Sequence, residues 1–150
     1  MPGEHRARQL GRLVDLAGIR SRRYERRLFE RREQLRSAEA RLIECQEALE
    51  AAGKAIVALD REREASLARC DGEALQRYAE SRERRVLWRQ QCRGSLKEAR
   101  EALDTARALH ARALEDWRRS RQRGETLESL HRATAGSTTP GRSVHGSHDR

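Results

Sequence analysis

Apolar positions recur with a seven-residue period over most of this chain. Leu28, Leu35, Leu42, Leu49 and Ile56 hold one heptad position, and Tyr24, Arg31, Ala38, Cys45, Ala52 and Leu59 hold its companion. Large aliphatic side chains in one row and mostly small ones in the other form the seam of a coiled coil. A straight helix drifts by about 20° per heptad from such a repeat, so keeping it requires a left-handed supercoil with a partner helix. Upstream, Leu10, Val14 and Ala17 begin the stripe, and Ser21 turns it polar among Arg20, Arg22, Arg23, Arg26 and Arg27. Beyond Leu59 it deteriorates at Arg63 and Ser66.

A second stripe follows. Its rows are Leu75, Arg82, Arg89, Leu96, Leu103, His110, Trp117, Gly124 and Tyr78, Arg85, Cys92, Ala99, Ala106, Ala113, Ser120, Leu127, widened by Val86 and Leu114. Between the stripes, Cys70-Asp71-Gly72-Glu73 is the strongest turn signal, because Asp and Gly tolerate the left-handed conformations of a chain reversal. Gly72 is the expected residue just past the first helix. The expected fold is therefore all-α, a long two-helix antiparallel coiled-coil hairpin over residues 4–131. Helix 1 is expected over about 4–70, the turn over 71–73 and helix 2 over 74–131, each arm on the order of 90 Å long. The segment Leu96 to Trp117 is the expected partner of the Leu28–Ile56 ladder. Met1-Pro2-Gly3 reads as a short lead, and residues 132–150, rich in Gly, Ser and Thr, as a disordered tail.

Composition narrows the picture. Charged residues make up 38% of the 150 and aromatics only 3%, which leaves few large side chains to fill a globular core. The net charge of +9 is unevenly placed: residues 1–36 hold eleven Arg against five acids, whereas residues 37–72 hold five basic against eight acidic groups. A hairpin would gather residues 1–36 with 111–131 into one basic end and leave 37–110 neutral. Basic excess serves nucleic acid, anionic membrane or acidic protein surfaces, and the preference for Arg over Lys also follows from the base composition of a gene.

Candidate chemistry is sparse. The glycines are scattered singly, without a phosphate-binding loop, and no GxSxG occurs. His5 and His110 have no nucleophile placed by the pattern. Cys45, Cys70 and Cys92 lie at least 22 residues apart without CxxC spacing, and His131, His145 and His148 lack ligand spacing, so zinc is not expected. The abundant carboxylates would line a solvated face rather than a water-excluding cleft. The chain is expected to be no enzyme, with no cofactor, metal or small-molecule substrate. No apolar run approaches the ~18 residues of a membrane span, so no membrane insertion is expected and the cytosol is the expected compartment.

Binding remains, at the places where the seam rule fails. Near the turn, Leu67, Leu75, Tyr78, Leu87 and Trp88 are large groups in a poorly filled stretch and candidate contacts for a protein partner; for Leu75 and Tyr78 the alternative is that they cap the coiled coil. At the opposite end, Arg12, Arg20, Arg22, Arg23, Arg26, Arg27, Arg118 and Arg119 form a candidate basic contact, or an ordinary solvated face.

The opening Leu10-Gly11-Arg12-Leu13-Val14, followed by Arg20-Ser21-Arg22-Arg23 and the charged heptads from Glu25 to Leu35, resembles the central-stalk proteins of type III secretion systems. These are the YscO/FliJ-type components of virulence injectisomes, including Hrp systems, and of flagella. The resemblance is one of pattern over Glu4 to about His131. It implies a coupling stalk at the cytosolic face of a membrane-embedded apparatus. There the basic end would enter the secretion ATPase hexamer, the tip would reach toward the cytosolic ring of the export gate, and some members handle export chaperones. Two other readings stay open: a parallel homodimeric scaffold in which Gly72 is only a kink, and an Arg-rich coiled coil that binds nucleic acid. Glu intermixed on both arms argues against the last.

Overall fold

The computed structural model describes residues 2–136. They form two helices, α1 over Pro2–Ala68 and α2 over Gly72–Gly136, packed against each other as an antiparallel hairpin. Their contacts fall into two units. Glu30–Ala111 makes the unit that contains the reversal (the turn unit), and the described residues 2–29 and 112–136 make the other (the terminal unit).

In the turn unit, burial follows the heptad rows. Cys45, Ala52, Ile56 and Leu59 of α1 and Cys92, Leu96, Ala99 and Leu103 of α2 are buried. Leu42 and Leu49 pack on the cluster of Cys45, Leu96 and Ala99, so large side chains of one helix sit over small ones of the other. Such layering excludes water from a two-helix seam without side chains large enough for a globular core. Arg85 Nη1 donates to the Ala55 carbonyl at 2.8 Å, next to Ile56. The ladder's partner therefore begins nearer the turn than the expected Leu96, since a three-residue reversal sets residues equidistant from it face to face. In the terminal unit Leu28 and Ala113 are buried, and Gly11 lies beside His131, whose Cε1 stands 3.6 Å from where a Cβ on Gly11 would be.

The reversal occupies Arg69, Cys70 and Asp71, slightly earlier than expected, and its chemistry differs from expectation. Gly72 does not end α1; it opens α2, and Cys70 holds the left-handed backbone, with φ 54°. Cys70 N donates to Leu67 O at 3.1 Å and Asp71 N to Ser66 O at 3.2 Å. Those two bonds are a Schellman closure, which satisfies carbonyls the helix end would otherwise leave open. Asp71 then caps α2: its Oδ1 accepts from Ala74 N at 3.1 Å and its carbonyl from Leu75 N at 3.2 Å. A helix running unbroken through Gly72, as the parallel scaffold requires, is replaced by this reversal.

The helices also exceed the expected limits. Pro2 and Gly3 belong to α1, in keeping with proline's fitness for the first turn of a helix, rather than to a lead. Arg132–Gly136 continue α2 instead of starting a tail, and within this last stretch Thr134 Oγ1 donates to the Leu130 and His131 carbonyls. The rest of the expected tail, 137–150, with His145 and His148, lies outside the described residues.

Candidate protein-binding surfaces

The turn unit carries a polar cluster across the two helices. Tyr78 Oη donates to Asp60 Oδ1 at 2.6 Å, Arg82 Nε donates to the same oxygen at 3.2 Å, and the Arg63 guanidinium stands 5.6 Å from the Tyr78 ring centroid. The Tyr78 hydroxyl, and after it the Arg82 guanidinium, hold the Asp60 carboxyl below its ordinary range, and the same hydrogen bond raises the Tyr78 hydroxyl. Asp60–Arg82 is the one ion pair among the described residues that joins α1 to α2; the others are i,i+3 or i,i+4 pairs on a single helix, such as Lys54–Glu50 and Arg121–Glu125. The seam positions that looked empty of packing are thus bridged by polar bonds: Arg82 through Asp60 and Arg85 through the Ala55 carbonyl.

This cluster divides the apolar candidates of the turn unit. Tyr78 and Leu75 are half-buried and belong to the coiled coil's own closure. Leu67, on the last turn of α1, is exposed. Leu87 and Trp88 stand about 22 Å along α2 from its start, at 1.5 Å per residue, so they are not at the reversal with the other three. Both are exposed, Trp88 to 40%, and Trp88 lines a shallow groove with Arg41, Cys45, Ala48 and Cys92. Exposed Ile43 and Val57 on α1 belong to no seam row and were not singled out by the heptads.

The terminal unit has a different character. It holds fourteen Arg against seven acidic groups among residues 2–29 and 112–136, whereas Glu30–Ala111 holds seventeen basic against sixteen acidic groups. All eight Arg candidates are exposed. Four of them, Arg20, Arg23, Arg27 and Arg119, come together with Arg123 around an open groove of about 560 Å³. Its apolar lining is Leu13, Leu16, Ala17, Tyr24 and Leu127, and Asp116 and Ser120 complete it. Arg119 pairs with Glu115 on its own helix; among the described residues, Arg20, Arg23, Arg27 and Arg123 form no ion pair. Arg12, Arg22, Arg26 and Arg118 lie outside the groove.

The groove exists because the seam is underfilled here. Ala17, Ser21, Ser120 and Gly124 leave little side-chain volume between the helices, so the outer flanks of Leu13 and Leu16 stay open, 46% and 53% exposed. The sequence marked the arginines but missed Leu13, Leu16 and Arg123. A spacing of 13, 16, 20, 23 and 27 on α1 is the signal that finds them, a second helical stripe beside the seam.

Among the described residues no group of three or more His, Cys, Asp or Glu could hold a metal ion, and no helix is long and apolar enough to cross a membrane. The three cysteines are free, Cys45 and Cys92 buried and Cys70 exposed. Comparison with protein-family models, with curated proteins and with solved structures found no match.

Proposed function

We propose that the chain is a non-enzymatic coupling protein of a type III secretion export apparatus. In this reading the terminal unit binds the secretion ATPase hexamer, the turn unit faces the cytosolic ring of the export gate, and the protein acts at the cytosolic face of the membrane in support of protein export. The observation that carries it is the partition of charge: a hairpin whose excess of Arg over acidic groups falls in the terminal unit, while the turn unit is close to neutral and offers apolar Leu67, Leu87 and Trp88. Unneutralised Arg at i,i+3 and i,i+4 spacing destabilises the helix that carries it by a few tenths of a kcal/mol per pair. A surface that keeps such a cluster is better explained by a partner than by the fold.

Co-elution with the cognate ATPase at moderate salt tests the reading. The wild-type chain is expected to travel with the hexamer, and the triple variant Arg20→Glu, Arg23→Glu, Arg27→Glu to elute alone. A wild-type chain that never co-elutes contradicts it. A nucleic-acid reading draws on the same arginines and expects micromolar affinity for DNA with a steep salt slope. Leucines interleaved with the arginines favour a protein surface over a phosphate backbone.

A further inference from the structure

We infer that the groove of the terminal unit is a docking site for an acidic amphipathic helix of a partner protein, which completes a three-helix packing with α1 and α2. The inference stands on the groove alone and holds whatever assembly the chain serves.

Shape comes first. The underfilled stretch of the seam leaves a trough walled by Leu13 and Leu16 on α1 and Leu127 on α2, open on one side. Leu13, Leu16, Arg20, Arg23 and Arg27 repeat at intervals of three or four, so the trough runs along α1 for about four turns, on the order of 20 Å. A trough of that length suits a helix laid in it with apolar residues at i, i+3, i+4 and i+7 facing inward. The apolar area at issue is already half-solvated, so covering it is favourable.

Charge selects the occupant. Arg20, Arg23, Arg27 and Arg123 flank the apolar floor without an ion pair, against one carboxylate, Asp116. A helix with Leu or Ile on one face and Glu or Asp on its flanks would place its carboxylates among these guanidinium groups, which take carboxylates bidentately. The chain's own residues 137–150 do not match, since they carry Arg142 and Arg150 against Asp149 and one large aliphatic residue, Val144. A second copy's terminal unit is disfavoured by like charge, and a polyphosphate backbone would leave Leu13 and Leu16 uncovered.

The test uses the full chain and a fluorescent synthetic peptide of about 21 residues with Leu at the first and fourth heptad positions and Glu at the flanking ones. Fluorescence anisotropy should show saturable binding in the micromolar range. Leu16→Ser and the pair Arg27→Glu, Arg123→Glu should each weaken it at least tenfold, with helicity by circular dichroism unchanged. A peptide with its Leu replaced by Ser should not bind. Three results overturn the proposal: no binding of the Leu/Glu peptide to the wild-type chain, equal binding by the Leu16→Ser variant, or tighter binding of a mixed-sequence DNA duplex that ignores Leu16. Sedimentation of the chain alone at about 100 μM closes the last alternative, since a dimer abolished by Arg27→Glu would show the groove occupied by another copy.

Discussion

Cys70 sits at φ 54°, where an L-residue with a Cβ is disfavoured by roughly 1–2 kcal/mol and glycine is not. Cys70→Gly should therefore raise stability by about 0.5–1 kcal/mol after glycine's own entropy cost, seen as a higher urea midpoint at constant slope; a lower midpoint would refute the Schellman geometry. Asp71 acts in the opposite sense. Removing its cap on Ala74 N by Asp71→Ala should cost about 1 kcal/mol. The Asp60 cluster makes stability pH-dependent. Its carboxyl is depressed in the fold, so its contribution is complete above the ordinary carboxylate pKa and is lost as pH falls through the lower folded value. Melts between pH 5 and pH 2 should show this loss, and Tyr78→Phe should flatten it. At this scale the sequence was only partly legible. Cys-Asp-Gly announces a turn but not which residue takes the left-handed position, because the closure is decided by where helix α1 exhausts its carbonyl partners. For Tyr78 the sequence left partner contact and closure of the coiled coil both open, because its acceptor, Asp60, is eighteen residues away and on the other helix.

At the level of the helices, the seam separates residues whose loss matters from those whose loss does not. Leu103 is 4% exposed, and Leu103→Ala should cost on the order of 2–4 kcal/mol. Leu87, equally large but 53% exposed, should tolerate Ala within about 0.5 kcal/mol. Chemical denaturation of the two variants side by side checks the assignment; equal losses would place the seam elsewhere. The heptads predicted these helices well, since a period near 3.5 over many turns has few readings other than paired helices. They located the buried rows from Leu28 to Leu59 and from Cys92 to Ala113. What they hid is a second stripe at Leu13, Leu16 and Arg20, because in that stretch the seam itself is weak and polar, and a weak seam also makes a flank hard to see. The helix ends lie a few residues beyond the last seam contacts, where no apolar periodicity marks them.

For the whole molecule, the hairpin uses its large aliphatic rows on itself, and what it offers to others is set by charge and by the gaps in the seam. The terminal unit offers arginines around an apolar trough, and the turn unit offers Leu67, Leu87 and Trp88 on a nearly neutral surface. The coupling role predicts that partner recognition through the arginines is salt-sensitive, because exposed charges are screened over about 8 Å at physiological ionic strength. It also predicts that changes at Leu87 and Trp88 leave ATPase binding intact. The central claim is that this hairpin couples to a secretion ATPase, and the most direct measurement is the steady-state hydrolysis rate of the cognate ATPase titrated with the chain. The account predicts a saturable rise in turnover that the Arg20→Glu, Arg23→Glu, Arg27→Glu variant fails to produce while remaining helical. An unchanged rate across the titration, or an equal rise with the variant, would contradict it.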